Sequence, residues 1–250
     1  MQAQKSDEDK QKLSAVILVG GFGTRIRHIT GDIPKPLAKV HGKPFLHWIL
    51  RSLKSKGIDN VYLLTHYAAE QIEIFAKEEA GQGFPIRCMK ELTPAGTGGA
   101  VLDLLMAAEH LTSPFLLLNG DSLLVEYSMK DALNCVVHGS EAVIFGVAMN
   151  DASRYGTLKC DDNERLTAFK EKASGSGVVN TGAYLFTRQA FSQIKNSKRP
   201  LSLEFDVIPS MINSGVNIKV LRGYSPFIDI GTEASLAEAD LFVQRHFKDK

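Results

Sequence analysis

The chain has 250 residues, 44% of them apolar, and a formal net charge of +1. That is enough for one substantial core, and near-neutrality excludes a global field for nucleic acid or an anionic membrane, so any anion binding has to be local. Three widely spaced cysteines exclude a disulfide framework or a zinc knuckle and point to a reducing compartment.

Residues 1–12 (MQAQKSDEDKQK) are polar and charged, without the apolar segment of a signal peptide, and no apolar run approaches the ~20 residues of a membrane span. The expectation is a polar tail and then a single cytoplasmic domain over 13–250. Strands are expected at 15–19, 61–65, 86–89 and 115–118, and helices at 44–57, 68–77 and 98–109. The strand runs are continuously apolar, as in strands covered on both faces. Their alternation with helices predicts an α/β fold with a doubly wound, mostly parallel, Rossmann-like sheet flanked by helices. After about residue 150 the texture becomes β-rich, with a hairpin over 154–172 turning at Asp161-Asp162-Asn163 and a strand at 178–186. Helices follow near 188–195 and at 203–213, strands at 217–221 and 227–230, and a closing helix over 233–247.

The segment LVGGFGTRIRHITGDIPKP (18–36) follows the first strand. Gly20, Gly21 and Gly23 let the backbone approach a ligand closely, although they would also serve a bare strand-to-helix turn. Arg25 offers a planar fork to phosphate oxygens, and Lys35 a point charge on backbone stiffened by Pro34 and Pro36. A dinucleotide fingerprint fails at Ile26, and no G-K-[ST] completes a P-loop. ELTPAGTGGA (91–100) is a second glycine-rich loop, whose helix start offers free N–H groups to an anion or base edge, or is capped by Thr97. FLLLNGDS (115–122) and FIDIGT (227–232) put Asp121 and Asp229 just past apolar strands. Such carboxylates suit a magnesium ion bridging phosphates, while an aspartate there also starts a turn. Glu171, Lys172 and Asn180 offer polar groups to a polyol, or belong to a solvated face.

In this order, from residue 15 to about 244, the motifs resemble the sugar-1-phosphate nucleotidyltransferase family. GTGGA, PKPLAKVHGKPFLHWIL and LNGD look most like its bacterial guanylyltransferases acting on D-glycero-α-D-manno-heptose 1-phosphate. The resemblance implies transfer of a nucleoside monophosphate, from GTP first of all, to a sugar 1-phosphate, with Mg²⁺ as cofactor and pyrophosphate released. It implies a nucleotide-binding part at about 13–125 and a sugar-binding part at about 140–230. Val19, Gly20, Gly21, Gly23, Thr24 and Arg25 would hold the nucleotide, with Arg25 on the β- and γ-phosphates. Lys35 would serve the α-phosphate and the sugar phosphate. Glu91, Gly96 and Thr97 would fall in the base and ribose pocket, Glu91 accepting from guanine. Asp121 and Asp229 would hold the metal, and Gly156, Glu171, Lys172 and Asn180 would face the sugar.

On this reading Arg25, Lys35 and Asp121 carry catalysis. The nucleophile is already anionic, so charge neutralisation and alignment are needed rather than a general base. Lys35→Ala should then slow turnover and leave the melting temperature near that of the parent. Neither nucleic acid nor a membrane is expected as a partner, and a homo-oligomer is compatible with the reading. Two positions depart from the family: Val19 stands where alanine is common, and Phe205, in SLEFDV, where relatives often carry lysine. The alternatives are the same reaction with mannose, glucose or an N-acetyl amino sugar 1-phosphate and another triphosphate, or a nucleotide-sugar-binding regulator without turnover.

Overall fold

A computed structural model describes residues 13–58, 60–81, 85–170, 175–194, 198–223 and 226–247. The first half runs β1 (Ser14–Leu18), a single turn α1 (Arg27–Thr30), a two-stranded ribbon of β2 (Lys39–Val40) and β3 (Lys43–Pro44), then α2 (Phe45–Ser55), β4 (Asn60–Thr65), α3 (Ala69–Ala80), β5 (Ile86–Lys90), α4 (Gly96–Ala107) and β6 (Phe115–Asn119). β1 lies parallel between β4 and β6, and β5 extends the sheet beyond β4. Alternate β1 residues enter opposite cores. Ala15 and Ile17 belong with Phe45, Ile49 and Leu53 of α2, whereas Val16 belongs with Val101 and Leu104 of α4. Both faces are apolar, which is why the strand reads as an unbroken hydrophobic run.

The second half adds β7 (Ser122–Leu124), α5 (Met129–Val137), β8 (Ala142–Met149), β9 (Thr157–Cys160), β10 (Leu166–Lys170), β11 (Gly177–Phe186), α6 (Ile208–Asn213), β12 (Ile218–Arg222), β13 (Phe227–Asp229) and α7 (Glu233–His246). β11 runs antiparallel to β6, β8 and β9, joining the β9–β10 hairpin to the parallel strands in one nine-stranded sheet. Its register shifts between Asn180 and Tyr184, where Gly182 has φ 72° and a methyl group would lie 2.5 Å from Asn119 Nδ2. The parallel order thus holds for β6-β1-β4-β5 and for the β8–β12 pair, while β11 reverses direction between them.

Two expected helices take other forms. Residues 188–191 form a short 3-10 turn, and Leu203–Val207 is a π-helical turn leading into α6. The closing helix docks on the lone tryptophan: the Phe247 ring, just past its end, lies tilted against Trp48 with centroids 5.5 Å apart, and the Trp48 indole N–H donates to Val40 O at 2.9 Å. Among the described residues, no helix is long and apolar enough to cross a membrane.

Candidate active site

The carboxyl ends of β1, β4 and β6 open into a cleft of about 400 Å³, lined among others by Val19 to Arg25, Lys35, His66, Glu91, Gly96, Thr97 and Asp121. A neighbouring cleft of about 430 Å³ is walled by Tyr155, Gly156, Phe169, Asn180, Phe205, Phe227 and Asp229. Arg25, Asn119, Asp121 and Glu204 line both. A ligand in one cavity therefore meets a ligand in the other at Asp121.

The three loop glycines have three separate reasons. A methyl group at Gly20 would press on His66, 3.0 Å from its backbone nitrogen. Gly23 has φ 60° and packs on Lys35 Cβ. Gly21 has nothing within 4 Å of such a methyl group, so its bare backbone faces open cleft. That last position is where an anion can approach amide groups closely.

Lys35 starts a 3-10 turn between Pro34 and Pro36, and only 8% of it is exposed. Its Nζ donates to Asp121 Oδ2 at 2.6 Å. Asp121 is placed by Gly120, whose N–H donates to Leu18 O and whose lack of a side chain lets it lie against the end of β1. The short β7–β13 pairing then brings in the second aspartate: Asp229 lies opposite Ser122, and Ile230 N–H donates to Asp121 O at 2.9 Å. Asp229 accepts from Arg154 at 3.0 and 3.2 Å, from Tyr155 Oη at 2.5 Å and from Gly231 N at 2.8 Å. Burial, and then the bond to Asp229, pushes the Tyr155 phenol well above its ordinary range, so it remains a donor.

Among the described residues, no three His, Cys, Asp or Glu side chains converge as a self-sufficient metal cage. Two carboxylates, one at the end of β13 and one directly before its partner β7, opening to a cleft, nevertheless fit magnesium, which completes its shell with phosphate oxygens and water. Asp121 Oδ1 accepts from Ser122 Oγ at 3.1 Å, and a metal there would compete with Lys35 and Arg154 for the two carboxylates.

Farther along the first cleft, Glu91 Oε2 accepts from Ala95 N at 2.9 Å, while Oε1 points toward Gly20. Of the amides expected to be free at this helix start, those of Gly98 and Gly99 are engaged within the chain. α4 begins at Gly96, and Gly98 and Gly99 both donate to Leu201 O. Thr97 is not the cap: its hydroxyl accepts from Leu203 N at 2.8 Å and lies 3.5 Å from Glu204. Gly96, with φ 77°, is required by Leu201, whose carbonyl oxygen would lie 2.3 Å from an added methyl group.

In the second cleft, Asn180 donates to the buried Tyr184 hydroxyl at 2.6 Å, and Tyr184 donates on to Glu204 at 3.3 Å. Gly156 is overlain by the Phe169 ring, 2.7 Å from where its Cβ would be. Glu171 and Lys172 lie outside the described residues. Sequence reasoning missed His66, Asn119, Arg154, Tyr155 and Glu204. Asn119 and Tyr155 had a signal, since Asn119 lies two residues before Asp121 and Tyr155 directly precedes Gly156, both already singled out.

The chain matches the family model described as nucleotidyl transferase over residues 14–246. It is 37% identical over 181 residues to D-glycero-alpha-D-manno-heptose 1-phosphate guanylyltransferase of Campylobacter jejuni, covering 72% of this chain and 78% of that protein. The protein of the same name in Aneurinibacillus thermoaerophilus is 31% identical over 238 residues, covering 94% of this chain and all of the other. Among solved structures, HddC of Yersinia pseudotuberculosis complexed with GMP-PN superposes with a TM-score of 0.80 at 30% identity, covering 92% of this chain and 99% of that one. With the glycine loop, Lys35 and Asp121 lining one cleft at the end of the parallel strands and Asp229 brought beside them by the β7–β13 pair, this chain belongs to the nucleotidyl transferase family.

Proposed function

We propose that the protein transfers a guanylyl group from GTP to D-glycero-α-D-manno-heptose 1-phosphate and releases pyrophosphate. The observation that carries this reading is the pair of clefts that share Arg25, Asn119, Asp121 and Glu204, with Lys35 buried against Asp121 at their junction. A triphosphate in the first cleft and a sugar phosphate in the second present two anions to one another at that point. An oxygen of the acceptor phosphate attacks the α-phosphorus, the new P–O bond forms, and the bond to the β-phosphate oxygen breaks. Arg25 and Lys35 offset the charge that accumulates as the anions close, and the open backbone at Gly21 admits the phosphates. Magnesium, held by Asp121 and Asp229, would supply further charge neutralisation on the phosphate oxygens.

GTP is favoured because Glu91, oriented by Ala95 N–H, leaves one carboxylate oxygen to accept from the adjacent N1–H and 2-amino donors of guanine. The names of the relatives point to the same base and to the heptose. The setting we propose is the cytoplasm, where the three free cysteines remain reduced. The test is pyrophosphate release from GTP, ATP, CTP, UTP and dTTP with heptose, mannose and glucose 1-phosphates. GTP with the heptose phosphate is expected to give the highest kcat/KM. Equal turnover with another triphosphate overturns the base assignment, and no release with any pair overturns the enzymatic reading.

A further inference from the structure

We propose that Arg154 guards Asp229: it occupies the carboxylate until a magnesium ion takes its place, and then turns to the phosphate of the acceptor, so that metal and acceptor favour each other's binding. The inference rests on the reading given above of Asp121 and Asp229 as metal ligands and of the second cleft as the acceptor's.

The two aspartates are not equally open. A carboxylate has about four lone-pair positions. On Asp229 each oxygen already accepts from two donors: Oδ1 from Arg154 Nη2 at 3.0 Å and Tyr155 Oη at 2.5 Å, Oδ2 from Arg154 Nη2 at 3.2 Å and Gly231 N at 2.8 Å. On Asp121, Oδ2 accepts from Lys35 and Oδ1 from Ser122 Oγ. Asp121 thus keeps room for a cation, whereas Asp229 has to give up a donor first.

Which donor leaves follows from how each is held. The Gly231 N–H belongs to the backbone two residues on. The Tyr155 ring is set edge-on against Phe227, with centroids 5.6 Å apart, and its hydroxyl carries no charge to oppose a metal. Arg154 differs on both counts. It lies between β8 and β9, with 45% of its side chain exposed. Its bonds to Asp229, and one to Ser235 Oγ at 3.3 Å, all run through Nη2, so the two-pronged pairing that makes an arginine–carboxylate contact strong is not formed. Its charge also repels an incoming cation. Lys35, by contrast, is 9% exposed and donates to Asp121 at 2.6 Å, so it stays.

The released guanidinium has a second partner at hand. Arg154 lines the acceptor cleft together with Gly156 and Asn180. Freed from Asp229, it is a cation beside an anionic substrate, and its planar fork suits phosphate oxygens. One ion pair is then replaced by two, metal with Asp229 and Arg154 with phosphate. Such linkage is reciprocal: the acceptor tightens the metal by the factor by which the metal tightens the acceptor.

The experiment titrates Mn²⁺, standing in for magnesium, into the nucleotide-free chain with and without mannose 1-phosphate, and reads free Mn²⁺ by electron paramagnetic resonance. It compares the parent with Arg154→Met, which keeps most of the stem, and with the double variant Arg154→Met/Asp229→Asn. Arg154→Met is expected to bind Mn²⁺ about fivefold more tightly than the parent, the upper range for a half-exposed ion pair, and the double variant to lose that gain. Mannose 1-phosphate is expected to tighten Mn²⁺ about fivefold more in the parent than in Arg154→Met. An unchanged Mn²⁺ affinity in Arg154→Met, a gain that survives Asp229→Asn, or a tightening by mannose 1-phosphate as large in the variant as in the parent each overturns the proposal. A parent that passes this titration yet releases no pyrophosphate with any pair of substrates overturns the functional reading and leaves the exchange at Asp229 standing.

Discussion

Lys35 shows how a residue's surroundings alter what its substitution reports. In the sequence it is a lysine between two prolines, with no sign that its stem is buried. In the fold its side chain is covered by the glycine loop and joined to Asp121. Lys35→Ala removes packing as well as charge and leaves Asp121 without its cation, so the melting temperature falls rather than staying near the parent's. Lys35→Met retains most of the stem. It is expected to lower kcat by ~10²–10³-fold, roughly 3–4 kcal/mol of transition-state stabilisation, with a smaller loss of thermal stability than the alanine variant. A single-turnover assay with both substrates saturating decides this, and a parental rate would remove Lys35 from the mechanism. Tyr155→Phe tests the second aspartate. It takes one donor from Asp229, so the magnesium concentration for half-maximal turnover should rise about tenfold. An unchanged magnesium titration would argue against Asp229 as a ligand. Asp121 and Asp229 were legible because each ends an apolar strand. Arg154 was not, because its partner lies 75 residues away and nothing local marks the pair.

At the scale of elements, the amphipathic and apolar periods located the first four sheet strands and their helices to within a few residues. They could not say what the amides at the start of α4 do, since Leu201 reaches them from about a hundred residues along the chain. Glycine-rich loops before helices suggest ligand binding. Here much of the glycine content instead lets one backbone lie against another. Gly96→Ala combines a left-handed backbone angle with a collision on Leu201 O. It should cost at least about 2 kcal/mol, lowering the melting temperature by several degrees. A parental melting curve would show that the 201–207 segment shifts freely. That segment carries Glu204 and Phe205, so the same variant should also raise acceptor KM. The π turn was read as helix because its apolar spacing, Leu203 and Val207, fits either winding.

The whole molecule is a parallel half and a mixed half joined through β11, and this reversal was the part of the topology least visible in the sequence. VVNTGAYLF has the composition of a buried strand whichever way its neighbours run, so direction followed only from pairing. Burial of polar groups in this second half also sets an alkaline limit. Tyr184 is fully buried, and burial followed by the Glu204 charge raises its phenol pKa. Tyr155 is raised by burial and by Asp229. The folded state therefore holds these protons more tightly than the unfolded chain. Their contribution to stability is fully present below the ordinary tyrosine value of about 10 and is lost as pH rises above it. Thermal melts between pH 8 and 11.5 should show a fall beginning above pH 10, shallower in Tyr184→Phe. An identical pH profile for that variant would exclude Tyr184 as a source.

The docking of Phe247 on Trp48 has a spectroscopic consequence. The chain has one indole, and it lies under the C-terminal helix, with Arg51 also over its ring, outside the linings of both clefts. Intrinsic fluorescence excited at the red edge of the ultraviolet band is thus a reporter of one event, the departure of α7 from α2. Nucleotide titrations should leave the emission maximum in place, while denaturant should shift it to the red as that helix lets go.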